Sequence, residues 1–319
     1  MKSCRQAKTC ELGHIAGTDS KPLPDPGCHN RDRACLMNGN IDPGACTLQL
    51  LKSAAPIEDF LYHYTTTQIA IESILYSRKL KYSSLKRSND PLEALNVLHV
   101  TNYTGSDGPG TDVGYRFGQN LNRILKSGYK VCSFCIDSPF DDDYPFNKGY
   151  TKSRMWNQYG ADHEGVCLVF SKSKLIYAIQ REMGRNYGEG KYELSHNAIT
   201  YIKNPRQFDQ MTFVNINDPA FNNEASCKQK LDKYIETYLF TKLKDYEGEK
   251  EYRIALYHPS FEDKKEVFLD VDNALRAVIL GYRCRSAYQT NFREYQKEMN
   301  FGLFSTCWFN GNVDISFVR

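Results

Sequence analysis

Phe60-Leu61-Tyr62-His63-Tyr64 is the stretch from which the fold can be read. Its aromatic and apolar residues suit a strand in a half-buried sheet. Thr65 and Gln68 come next, at the spacing of a capping box. Ile71, Ile74 and Leu75 then form a helical stripe that ends near Leu80. Lys81 to Leu85 reads as a second short strand. The chain therefore opens its ordered part as strand, helix, strand.

The rest of the pattern extends that opening. Asn89-Asp90-Pro91 is a turn and helix start, with proline in the first turn, and a helix is expected through Val97. Glycines at 105, 108 and 110 mark a loop over residues 104–112. Their spacing fits neither a dinucleotide-binding turn nor a P-loop. Val131 to Ile136 reads as a strand, and period-2 alternation sends Cys132 and Cys135 to opposite faces as small apolar fillers. Gly165 to Phe170 is a continuous apolar run, the mark of a central strand. Leu231, Tyr234, Ile235, Tyr238 and Leu239 predict an amphipathic helix. In Glu251 to Tyr257, Tyr252, Ile254 and Leu256 face one way, and Glu251, Arg253 and Ala255 face the other. Leu275 to Leu280 is a last buried strand, closed by Gly281.

Residues 1–50 differ from the rest of the chain. They carry Cys4, Cys10, Cys28, Cys35, Cys46, His14 and His29, and a proline-rich stretch from Lys21 to Gly27. Without hydrophobic periodicity the segment is expected to be irregular. Zinc can organise such a segment through thiolates and imidazoles, but no close Cys-x-x-Cys knuckle is present here. Residues 57–317 are expected to form a single α+β domain.

The 319 residues hold 41% hydrophobic and 25% charged side chains, an ordinary globular balance. A net charge of +3 gives no global argument for nucleic acid. No apolar run approaches the roughly 18 residues of a membrane helix, and the N-terminus lacks the apolar stretch of a secretory signal. A cytoplasmic location with reduced thiols is the expectation, although the cysteines number 11. The 22 tyrosines suit either a core with wet edges or a surface that binds bases or partners.

Three clusters could carry chemistry: His63-Tyr64-Thr65 at a strand end, Met155-Trp156 with Tyr159 and His163-Glu164-Gly165, and Glu249-Lys250-Glu251-Tyr252-Arg253 opening a strand. Polar groups at strand ends beside aromatics are typical of a ligand cleft. Each has a structural counterpart. His63 can be a core histidine with a backbone partner, Trp156 and Tyr159 can plug the core, and Glu251 with Arg253 can be a surface ion pair. A metal site from His63, His163 and Glu251 lacks any local ligand spacing.

The order of motifs resembles an uncharacterised bacterial family, the domain-of-unknown-function family twenty-nine seventy-one. The matching stretches are Tyr62-His63-Tyr64, Asn89 to Glu93, Cys132-Ser133-Phe134, Met155 to Tyr159, His163 to Cys167, Thr241-Lys242, Glu249 to Arg253 and Ile279-Leu280-Gly281. More distantly, Leu61 to Thr65 followed by Leu80 to Ser84 is similar to the start of ADP-ribosyltransferase domains, and Glu251 to Tyr257 looks like their late strand. That resemblance implies a split, twisted β-sheet core with flanking helices and NAD as substrate. It implies His63 on a ribose hydroxyl, Glu251 as the electrostatic catalyst and Glu249 facing the incoming nucleophile. Tyr82, Ser83, Trp156 and Tyr159 are the candidates for lining the NAD pocket, and Tyr82, Tyr159 and Tyr64 compete for the nicotinamide. Alternation puts Tyr64 opposite His63.

The expected activity is therefore ADP-ribosyl transfer from NAD to a nucleic-acid or protein acceptor, in a toxin or phage-defence effector with a possible antitoxin as partner. The alternatives are a metal-independent ribonuclease using His63 and His163 as acid and base with Arg253 on the phosphate, and a non-catalytic module whose Trp156/Tyr159 pocket holds a nucleotide or peptide.

Overall fold

The opening strand runs over Phe60–Thr65 (β1). The helix after it starts as an α-turn at Thr67–Ile69 and widens into a π-helix over Ala70–Leu75. We call the two together α1. Its cap is Thr66, whose hydroxyl accepts the Ile69 N–H at 3.2 Å. The capping box expected at Thr65 and Gln68 is thus one residue out, because Thr65 is still paired in β1. A second strand, Lys79–Ser84 (β2), comes next, as expected. This is a computed structural model, and it describes residues 43–53, 59–88, 90–94, 101–102, 119–120, 122–138, 145–204, 214–215, 232 and 235–318.

The main sheet has ten strands. Besides β1 and β2 they are Tyr129–Cys135 (β3), Val166–Ser171 (β4), Glu193–Ala198 (β5), Glu251–Tyr257 (β6), Glu266–Asp270 (β7), Leu275–Leu280 (β8), Gly302–Phe309 (β9) and Asn312–Phe317 (β10). The order is β7-β2-β3-β1-β4-β8-β9-β10, with β6 on β3 and β5 on β6. Neighbours are antiparallel except β8 and β9, which are parallel. Gln289–Met299 (α2) lies between those two in the chain and supplies the crossover that parallel strands need. Leu275–Leu280 is therefore not the last buried strand, since β9 and β10 extend the sheet beyond it.

One feature of the register makes the site. Strand β6 pairs with all seven residues of β3, from Glu251↔Cys135 to Tyr257↔Tyr129. The opposite edge of β3 is shared: β2 pairs at Ser83↔Val131 and Ser84↔Lys130, and β1 pairs at Tyr62↔Cys135. Between them the sheet forks. Cys132, Ser133 and Phe134 have no strand partner on that edge among the described residues.

Period-2 alternation divides the side chains as expected. Cys132, Phe134, Tyr252, Ile254 and Leu256 join the larger core, covered by α1, α2 and Lys172–Tyr187 (α3). In α3, Leu175, Ile179 and Met183 recur every four residues and point into that core. The other face carries two smaller apolar clusters. One gathers Val131, Ala255, Tyr257 and Leu239, and the other gathers Cys135, Tyr62, Trp156 and Leu51. Cys132 and Cys135 thus lie on opposite faces, and burial pushes both thiols up to about 12, so they stay protonated.

Leu51 belongs to a helix, Pro43–Lys52, which packs on β8 and β9. The expectation of irregular chain through residue 50 is corrected there. Leu51 is buried, so tertiary packing orders a stretch too short to show helical periodicity. Cys4, Cys10, Cys28, Cys35, His14, His29 and the loop over residues 104–112 lie outside the described residues. So do Asn89, Val97, Leu231 and Tyr234; of the helix expected near 231–239, Ile235–Phe240 is described.

Candidate active site

A cavity of about 300 Å³ opens at the fork. His63, Ser83, Ser133, Tyr159, Glu249 and Glu251 all line it, and so do Glu93, Lys242 and Arg253. The fork explains His63. The imidazole fills the unpaired edge, and its Nδ1–H donates to the Ser133 carbonyl at 3.1 Å. That bond leaves Nε2 as an acceptor. Burial pulls the His63 pKa below 6.5, against the Ser133 bond that raises it, so the ring is neutral at pH 7. His63 is therefore both a histidine with a backbone partner and a cavity residue.

Glu251 opens β6 directly beside the fork. It is 4% exposed. Its Oε1 accepts the Ser133 hydroxyl at 2.6 Å and Arg253 Nε at 2.9 Å. Its Oε2 lies in ion-pair contact with Lys242 Nζ at 2.7 Å, without hydrogen-bond geometry. Burial alone would raise this pKa, but Arg253 and then Lys242 overcome it and hold the carboxyl at about 2. Lys250 takes the left-handed conformation, φ 44°, and turns the chain from the 3₁₀ turn Lys244–Glu249 into β6. Glu249 is buried there, accepting Tyr159 OH and Lys242 Nζ, both at 3.1 Å.

Arg253 is 1% exposed, so the surface ion pair read from the sequence is in fact a buried one. Its Nε donates to Glu251, one terminal nitrogen donates to the Leu239 carbonyl at 2.6 Å, and the other to Glu93 Oε1 at 2.6 Å. Burial alone would lower its pKa; Glu251 and Glu93 raise it instead. Asp90 also lines this wall, and Lys126 lies close to Asp90 and to Glu93, so four carboxylates meet three cations and the wall has one negative charge in excess.

Several expected residues fall elsewhere. Tyr82 is fully buried in the larger core while Ser83 lines the cavity. Because the cavity sits in the fork, neighbouring strand residues such as Ser83 and Ser84 both line it, so it is the burial of Tyr82 among core side chains that keeps it out. Trp156 is a core plug: its Nε1–H donates to the Tyr150 carbonyl at 2.8 Å, and its ring meets Tyr64 edge-on at 5.0 Å. Only Tyr159 of that pair reaches the cavity, from the end of the helix Ser153–Gln158. His163 does not line the cavity. It stacks on Trp156 at 6.0 Å, in a left-handed turn formed with Ala161 and Asp162. An acid–base pair of His63 and His163 with Arg253 on a phosphate is thereby corrected: the histidines do not share the cavity, and the guanidinium is already engaged.

Ser133, Glu93 and Lys242 were missed as site residues. Each sits in a motif noted in the sequence, yet no local periodicity signals that residues 93, 133 and 242 meet. Charge offered one clue, since a buried strand beginning Glu-x-Arg needs partners from elsewhere.

Residues 155–254 match the family model described as protein of unknown function, DUF2971. The DUF2971 segment contains Tyr159, Lys242, Glu249, Glu251 and Arg253, most of the charged wall, whereas His63, Glu93 and Ser133 precede it. Comparison with curated proteins and with solved structures gives no match.

Proposed function

We propose that the cavity binds NAD and that the protein transfers its ADP-ribosyl group to a nucleic-acid or protein acceptor, on an ADP-ribosyltransferase-like split sheet. The observation that supports this most is the convergence of His63, from the first strand, and Glu251, heading a late strand, on one cavity at the fork. In this reading the bond between ribose C1′ and the nicotinamide nitrogen breaks, and its electron pair leaves with nicotinamide. The acceptor nucleophile then bonds to C1′ and loses its proton. Glu251, ionised throughout the physiological range, stabilises the positive charge that develops on the sugar. Because Glu251 is buried, the exposed Ser133 hydroxyl carries its influence into the cavity. His63 Nε2 accepts from a ribose hydroxyl, and Glu249 with Tyr159 faces the acceptor. Such an activity would suit a toxin or phage-defence effector, with a matching antitoxin as partner.

The test is nicotinamide release from NAD. The wild-type protein should release it, and Glu251→Gln should lower the rate on the order of 10²–10³-fold. His63→Ala should weaken NAD binding as well as turnover. Equal release by wild type and Glu251→Gln would sink the mechanism.

A second reading rests on a different observation. Both carboxylates are held by internal cations, as in a structural network. A binding module would then take the nucleotide without cleaving it. Tight NAD binding with no nicotinamide released would favour this reading.

A further inference from the structure

The cavity has a second wall with the opposite charge. Lys81 and Arg87 line it, from β2 and the adjoining 3₁₀ turn Leu85–Arg87. Their side chains are half-exposed, yet both converge on one atom. Lys81 Nζ is 3.6 Å from Glu266 Oε1, and Arg87 donates to the same oxygen. Glu266 opens β7 directly opposite Ser83, whose side chain also lines the cavity. Two cations against one carboxylate leave one positive charge in excess. The cavity is therefore polarised, positive at Lys81 and Arg87 and negative at Glu93, Glu249 and Glu251.

We propose that Lys81, Arg87 and Ser83 form a phosphate subsite, and that the ligand's phosphate oxygen replaces Glu266 Oε1 as their shared counter-ion. Two cations already aimed at one anionic oxygen are pre-organised for a phosphate, and the serine hydroxyl adds a donor. The ligand class is then a phosphorylated ribose whose uncharged or cationic end lies against Ser133 and Glu251. Applied to the NAD reading, on which this assignment of the other end rests, the pyrophosphate takes the cationic wall and the nicotinamide ribose takes the acidic one. The polarity decides the orientation, because the reverse would set the pyrophosphate against the carboxylates.

Binding of ADP, NAD and nicotinamide riboside to the full chain, measured by calorimetry, tests the subsite. Arg87→Ala and Lys81→Ala should each weaken ADP and NAD by about 10-fold to 100-fold, the worth of a charge-assisted hydrogen bond. Nicotinamide riboside, which has no phosphate, should bind wild type and variants alike. Glu266→Gln should tighten ADP several-fold, since it removes the competing anion. Wild-type affinity for ADP in Arg87→Ala and Lys81→Ala, or no ADP binding by the wild type, would overturn the subsite. The outcomes also separate the two proposals. ADP binding that depends on Arg87, with no nicotinamide released from NAD, keeps the subsite and removes the transferase. Nicotinamide release that is indifferent to both cations does the reverse.

Discussion

Strands β3 and β6 present two faces built from the same few residues, and the contrast shows how a single pair of strands serves stability and chemistry at once. One face, with Phe134, Tyr252, Ile254 and Leu256, is apolar apart from the Tyr252 hydroxyl, which bonds His196, and packs under α1, α2 and α3. The other carries Ser133, Glu251 and Arg253, with Glu251 and Arg253 almost as thoroughly buried as the isoleucine. The apolar face is held by non-directional burial, which tolerates a change of shape. The charged face is held by directional contacts among shared partners, and removing a cation leaves its carboxylates short of counter-charge.

The largest test of this contrast is Arg253→Ala. It removes the guanidinium that bridges Glu93 and Glu251 and leaves Lys242 as the remaining cation on Glu251, so it should cost about 3–5 kcal/mol in a denaturant melt. Ile254→Val on the other face should cost about 1 kcal/mol. A smaller loss for Arg253→Ala than for Ile254→Val would show that the charged face is not structural.

Acid acts on the charged face alone. The Glu251 carboxyl lies at about 2 in the folded chain, below its usual 4.5. Its contribution to stability is therefore fully present above about 4.5 and is lost as the pH falls toward 2. Linkage puts that contribution on the order of 3 kcal/mol. Glu251→Gln should flatten the fall in stability between about pH 5 and about pH 2.5. An unchanged acid limb in that variant would mean that other carboxyls carry it. The smallest effect belongs to the edge of the network. Tyr159→Phe removes one hydrogen bond to Glu249 and should cost about 1 kcal/mol, read as a shift in the denaturation midpoint.

Much of the fold was legible because strands write their faces into the sequence. The alternation in Glu251–Tyr257 and the odd spacing of Cys132 and Cys135 predicted which side chains would share a face, and the structure agrees. The same rule could not reject Tyr82, because at the fork adjacent residues such as Ser83 and Ser84 both reach the cavity. Trp156 was less decidable, since an aromatic near a strand end looks alike whether it plugs a core or lines a cleft. The helix Pro43–Lys52 was missed for a different reason: Leu51 is ordered by β8 and β9, which lie more than two hundred residues away in the chain.

The strands, their two faces and the residues able to carry charge are readable from the chain alone, because they arise from local periodicity and side-chain chemistry. The fork between β1 and β2, the place of His63 in it, and the ring of Glu93, Lys242 and Ser133 around Glu251 come from folding alone. Pairing between distant strands sets those positions, and the register of one strand on another is a property of the whole packed sheet. A glutamate at the head of a strand has no fixed character until the fold supplies its neighbours. Here two cations and a serine hydroxyl, drawn from β3, β6 itself and residues 241–243, hold it ionised at the edge of a cavity.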